Sequence, residues 1–169
     1  MSSTSTFPRT AFFLMLLSAA GFILATVPGL PQTVASHFGV GGAANGYMSR
    51  DGYQIFMLLF TLGLPALMVV VIGQLPARYT KLSNLPHKDY WFAPERKAGS
   101  LAFLRQHAYW FGSLMVFFAA ALHALVLEAN AQMPPRLAEI PFFIMMAVFL
   151  AGLSVWVVLL LRRFKKPGV

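Results

Sequence analysis

The amino-acid sequence predicts an all-α, integral membrane four-helix bundle. Three observations carry that expectation: four apolar runs of spanning length, a shortage of charge, and a segregation of the basic residues. A spanning helix needs about 17 to 25 mostly apolar residues to cross about 30 Å of hydrocarbon. Ala11 to Val27, Ile55 to Ile72, Ala108 to Leu127 and Pro141 to Leu161 meet that length within one domain, 1–169. Only 11% of residues are charged. Soluble domains carry about 25%, so lipid must replace water over most of this surface.

The formal net charge of +8 would raise nucleic acid as a partner of a soluble chain. Here the basic residues sit between and after apolar runs, where they suit an anionic membrane surface, so membrane lipids are the expected partner and nucleic acid is not. The absence of cysteine excludes disulfides, thiolate catalysis, Cys-ligated zinc and iron–sulfur clusters.

The first run follows a short segment carrying Arg9 and so has the outline of a signal peptide. Its end, Leu24-Ala25-Thr26-Val27-Pro28, makes a poor cleavage site, which predicts a retained helix. Orientation follows from the short connections. Arg78, Lys81, Lys88, Arg96, Lys97 and Arg105 lie between the second and third runs, Arg162, Arg163, Lys165 and Lys166 follow the fourth, and Arg9 precedes the first. Only Arg50 and Arg136 lie on the other side. The positive-inside rule then puts both termini and the central loop in the cytoplasm, an N-in/C-in arrangement.

Within the central loop, Tyr90, Trp91 and Phe92 form an aromatic cluster suited to headgroup depth. Pro94, followed by Glu95, opens a helix that runs through Leu101 and Leu104 into the third span as a cytoplasmic interfacial helix. The alternative for this stretch is a soluble loop. Pro65 should kink the second span. Gly63, Gly112 and Gly152 should permit close helix packing. No internal repeat argues for the inverted halves of a transporter.

Between the first two runs, Asn45-Gly46 is a turn pair, and Asp51 with Gln54 forms a capping box for the second span. The segment is therefore expected to be a structured external loop. Its pattern, Leu30-Pro31, His37-Phe38, Gly46-Tyr47 and Ser49-Arg50, resembles a bacterial membrane domain of unknown function that also forms the N-terminal part of Sdp-type toxin-immunity proteins. Asn84-Leu85-Pro86-His87-Lys88-Asp89-Tyr90-Trp91 with Ala93-Pro94-Glu95-Arg96 resembles the cytoplasmic loop of that family. The chain departs from the family at Ala35, where Pro is frequent, and at Tyr47, where Trp is frequent. The resemblance implies a bacterial inner-membrane location and a binding role in immunity or sensing.

His37, His123, Asp51 and Glu128 all fall on the external side and are the candidate polar site. Two imidazoles and a carboxylate are a zinc or copper donor set, but none has close ligand spacing, so a hydrogen-bonded structural role is favoured and no metal is expected. His123 lies inside a span, where an imidazole is costly unless it faces a polar partner. It is expected to be neutral and to meet His37 or a backbone carbonyl of the external loop. His87 and His107 are read as interfacial. No nucleophile-base order, carboxylate pair or phosphate loop stands out, so neither catalysis nor a cofactor is expected. Gly39-Val40-Gly41-Gly42 has no preceding strand signal, and most methionines lie in apolar runs as packing residues.

Two functions remain open from these residues. One is a non-catalytic binding or immunity-like module that recognises a peptide, lipid or partner. The other is an accessory subunit packed against another membrane protein or a second copy of itself. A small transporter or enzyme is disfavoured by the near absence of charge in the spans.

Overall fold

A computed structural model describes residues 6–80 and 85–165. Lys81, Asn84 and Lys166, used above for orientation and resemblance, lie outside the described residues. Helix α1 (Phe7–Thr26) has Pro8 in its first turn, where a missing N–H breaks no hydrogen bond. A 3-10 turn, Val27–Gly29, leads into strands β1 (Thr33–Phe38) and β2 (Ala44–Ser49). The second apolar run is α2 (Arg50–Leu58), a π-helical turn at Leu59–Gly63 and α3 (Leu64–Gly73), followed by α4 (Leu75–Arg78). Short α5 (Lys88–Trp91) precedes the long α6 (Pro94–Asn130), and α7 (Glu139–Arg163) closes the described chain.

Four helices are long and apolar enough to cross a membrane, and the expected runs fall on them. The fold is not all-α, because β1 and β2 pair as an antiparallel hairpin between the first two spanning helices. Asn45-Gly46 is not its turn. The chain reverses at Gly41 and Gly42, both at positive φ, and Gly46 sits within β2 opposite His37. A Cβ on Gly46 would stand 2.7 Å from the His37 Cβ, so glycine is needed there for strand contact. The cap of α2 also differs from expectation. Ser49 Oγ accepts from the Gly52 N–H at 3.1 Å, while Asp51 lies in the first turn, where a carboxylate suits the helix dipole.

Helix α6 is the spine of the bundle and packs against α1, α3 and α7. Gly112 allows this on two sides at once, since a Cβ there would come within 2.6 Å of Phe12 and 2.7 Å of Val69. Gly152 likewise abuts Leu114, and Gly73 abuts Ala108 and Arg105. Gly63 does not serve close packing, because a Cβ there would meet only Leu59 Cδ2, at 4.0 Å. It belongs instead to the π turn just before Pro65, where the regular α-helical hydrogen-bond ladder is interrupted.

The helices alternate in direction, so the bundle has a hairpin end and a basic end. At the basic end Trp91 donates from Nε1 to the Phe164 carbonyl at 3.0 Å, and Arg163 lies 4.5 Å over its ring. Arg96 packs 4.0 Å over Tyr90, and Phe92 follows as the half-buried residue ending α5. The aromatic cluster therefore locks the start of α6 to the end of α7. His107, read from sequence as interfacial, is buried within the protein. Its Nε2 donates to the Trp156 carbonyl, and Trp156 Nε1 donates to the His107 carbonyl, each at 2.9 Å. The two stacked rings, 4.5 Å apart, clasp α6 to α7.

Candidate functional site

Polar groups at the hairpin end are arranged in two layers. The inner layer is a chain of hydrogen bonds across three helices. Thr26 Oγ1, at the end of α1, donates to the Phe22 carbonyl at 2.7 Å, the ordinary bond of a helical threonine to the turn below. Its proton is thereby used, so Thr26 Oγ1 accepts from His123 Nε2–H at 2.8 Å. The other ring nitrogen, Nδ1, then accepts from the Tyr53 hydroxyl at 2.8 Å. One ring proton satisfies every group in the relay, so this arrangement is that of a neutral imidazole. His123 and Tyr53 are almost wholly buried, and Phe22 packs edge-on against the imidazole at 5.1 Å.

The outer layer fastens the hairpin over this relay. Asn130, the last residue of α6, accepts from the Ala35 N–H at 2.8 Å and donates to the Ala35 carbonyl at 2.9 Å. It thus acts as a side-chain extension of the sheet. At the hairpin turn, Glu139 Oε1 accepts from the Gly41 N–H at 2.8 Å, and Arg136 Nε donates to the Gly41 carbonyl at 2.9 Å. The Leu137 N–H donates to the Gly42 carbonyl, also at 2.8 Å. At the opposite corner, Arg50 donates to the carbonyls of Pro28 and Leu30.

Between hairpin, α2, α6 and α7 lies a cavity of about 790 Å³. Its floor is apolar, formed by Met57, Leu122, Val126 and Phe142, and Tyr53 faces it with the His123 relay behind. His37 lines its rim from the strand above. The four residues singled out from sequence therefore do not form one site. His37 is at the rim, His123 is sealed behind Tyr53, and Asp51 and Glu128 are exposed away from the lining. The partners expected for His123, His37 or a loop carbonyl, are replaced by Thr26 and Tyr53. Among the described residues, no three His, Cys, Asp or Glu side chains converge as metal ligands.

Sequence reasoning missed Thr26, Tyr53, Asn130, Arg136 and Glu139. Depth was the available signal for the first two: Thr26 is the residue before the end of the first apolar run, and Tyr53 stands two residues before the start of the second. Each can therefore reach a histidine near the hairpin end of the third. For the others the signal is weak, because their partners are backbone groups nearly a hundred residues away.

Residues 14–69 match a family described as a domain of unknown function, DUF1648. The match runs from α1 through the hairpin to α3, so it contains Thr26, Tyr53 and the cavity roof. No curated protein and no solved structure matches the chain.

Proposed function

We propose that the chain is a non-catalytic binding module of the bacterial cytoplasmic membrane, with both termini in the cytoplasm and the hairpin outside. The single observation that supports it is the cavity under the latched hairpin: a preformed, mostly apolar space within the about 300 to 1,000 Å³ typical of ligand sites. Every polar group of the relay behind it is satisfied by a neighbour, which suits a rigid wall better than proton or acyl transfer. An immunity or sensing role fits such a module, since a ligand arriving from outside would meet the hairpin first. Trp91 then lies at headgroup depth on the cytoplasmic side. At 1.5 Å per residue the 37 residues of α6 extend about 55 Å, so its first turns reach past about 30 Å of hydrocarbon.

A second reading, an accessory subunit, is favoured by α7. It packs principally on α6 and leaves Ile140, Ile144, Val155 and Leu161 exposed. A photoreactive residue at Tyr47, half exposed at the cavity rim, and another at Val158 on the open face of α7 separate the two. The binding module requires a ligand adduct at Tyr47. Protein adducts at Val158 alone would overturn it in favour of the subunit.

A further inference from the structure

Resting on that binding reading, we infer that the cavity beneath the hairpin holds one acyl chain of a bilayer phospholipid, which enters sideways between α2 and α7. The opening is visible in two side chains. Phe56 of α2 and Phe143 of α7 both line the cavity, yet they are 49% and 63% exposed. They stand on helices that do not pack extensively on each other, since α7 rests on α6. Phe56 and Phe143 lie six and four residues from the starts of their helices, about 6 to 9 Å along the axis. That depth is the upper acyl region, so the gap between the rings faces hydrocarbon and not water.

The chemistry of the wall selects an alkyl chain over a peptide. A peptide brings an N–H and a C=O with each residue, and away from water each needs a partner. The polar side chains Ser36, His37 and Tyr47 belong to the hairpin side of the lining; deeper in, the Tyr53 hydroxyl is held by His123, and one Glu139 oxygen is held by the Gly41 N–H. An alkyl chain asks for none and meets Met57, Leu122, Val126 and Phe142. Glu139 lines the cavity, and Arg136, outside the lining, bonds the same glycine, so opposite charges lie together beside the hairpin turn. A headgroup carrying both phosphate and ammonium complements them.

The test uses the whole protein in nanodiscs of mixed phosphatidylethanolamine and phosphatidylglycerol. Native mass analysis after gentle detergent transfer should find one retained phosphatidylethanolamine per protomer. Leu122→Trp, which fills the cavity from α6, should reduce that retention by roughly tenfold, the scale of about 1.4 kcal/mol of lost binding. No retained lipid, retention of phosphatidylglycerol alone, or retention unchanged by Leu122→Trp would overturn the inference. A phospholipid with a photoreactive acyl chain tests the unaltered protein, so the answer does not depend on that variant folding. Adducts at Leu122 or Phe142 support the inference, and adducts confined to Val155 and Val158 sink it. A peptide or protein adduct at Tyr47 with the cavity free of lipid would reject the acyl chain and leave the binding reading standing. Absence of adducts at both places would reject both.

Discussion

Tyr53 donates to His123, His123 to Thr26 and Thr26 to the Phe22 carbonyl, so removing a single link strands its neighbour in a place water does not reach. Tyr53→Phe leaves His123 Nδ1 buried without a donor and should cost about 1 to 3 kcal/mol. An interhelical hydrogen bond inside a membrane contributes only about 0.6 to 2 kcal/mol. Removing Tyr53 and His123 together as Tyr53→Phe with His123→Leu should therefore cost less than the sum of the two single changes. Unfolding of the four proteins by denaturant in micelles gives this double-mutant comparison, and strict additivity would show that the relay does not act as a unit. His123→Lys should be worse than His123→Leu, because it adds a charge at a depth where Leu restores packing. A polar partner for His123 was legible in the sequence, since an imidazole within a span needs one. Its identity was not, because Thr26, Tyr53 and His123 are 27 to 97 residues apart in pairs and only the bundle brings them together.

Helices and hairpin differ in how far the sequence reveals them. The four long helices follow from run length, because a helix satisfies its own backbone and needs no distant partner in lipid. The hairpin escaped because its reversal uses Gly41 and Gly42, while the stronger local turn signal, Asn45-Gly46, lies inside β2. It is held in place at Ala35 and Gly41 by Asn130, Arg136 and Glu139, nearly a hundred residues further along the chain. Two glycines test the packing argument. Gly112→Ala pushes a Cβ into Phe12 and Val69 and should cost about 1 to 3 kcal/mol. Gly63→Ala meets only Leu59 Cδ2, at 4.0 Å, and should be near neutral in the same unfolding experiment. Equal effects would refute the assignment of contact to one and backbone geometry to the other. The π turn supplies a further check. Thr61 Oγ1 is buried there without a hydrogen-bond partner. Thr61→Val should hold or raise stability by about 1 kcal/mol, since it removes an unpaired polar atom, and a loss of that size would mean that the hydroxyl has a partner in the membrane.

For the whole molecule, the alternating helices collect charge unequally at the two ends. Arg50 and Arg136 stand with Asp51, Glu128 and Glu139 at the hairpin end, and the other nine Lys and Arg among the described residues belong to the basic end or its connections. Both basic residues of the hairpin end are tied to loop carbonyls, Arg50 to Pro28 and Leu30 and Arg136 to Gly41, so they serve structure and add little to a surface field. At the basic end, Arg162 and Arg163 end α7, where cations complement the helix dipole, and Arg163 also covers Trp91. Inverting the molecule would move a strongly basic surface outward and the clasp of Trp91 and Phe164 with it, against the bias that retains Lys and Arg in the cytoplasm. The prediction is therefore a cytoplasmic basic end and an external hairpin. Because the chain has no cysteine, a single introduced thiol reports its own side without background. Val40→Cys, on a fully exposed side chain at the hairpin turn, should react with a membrane-impermeant maleimide in intact cells. Lys97→Cys, near the start of α6, should react only after the membrane is opened, and a reporter domain fused after Val169 should be active in the cytoplasm. Labelling of Lys97→Cys in intact cells, with Val40→Cys protected, would invert the molecule and put the cavity on the cytoplasmic side.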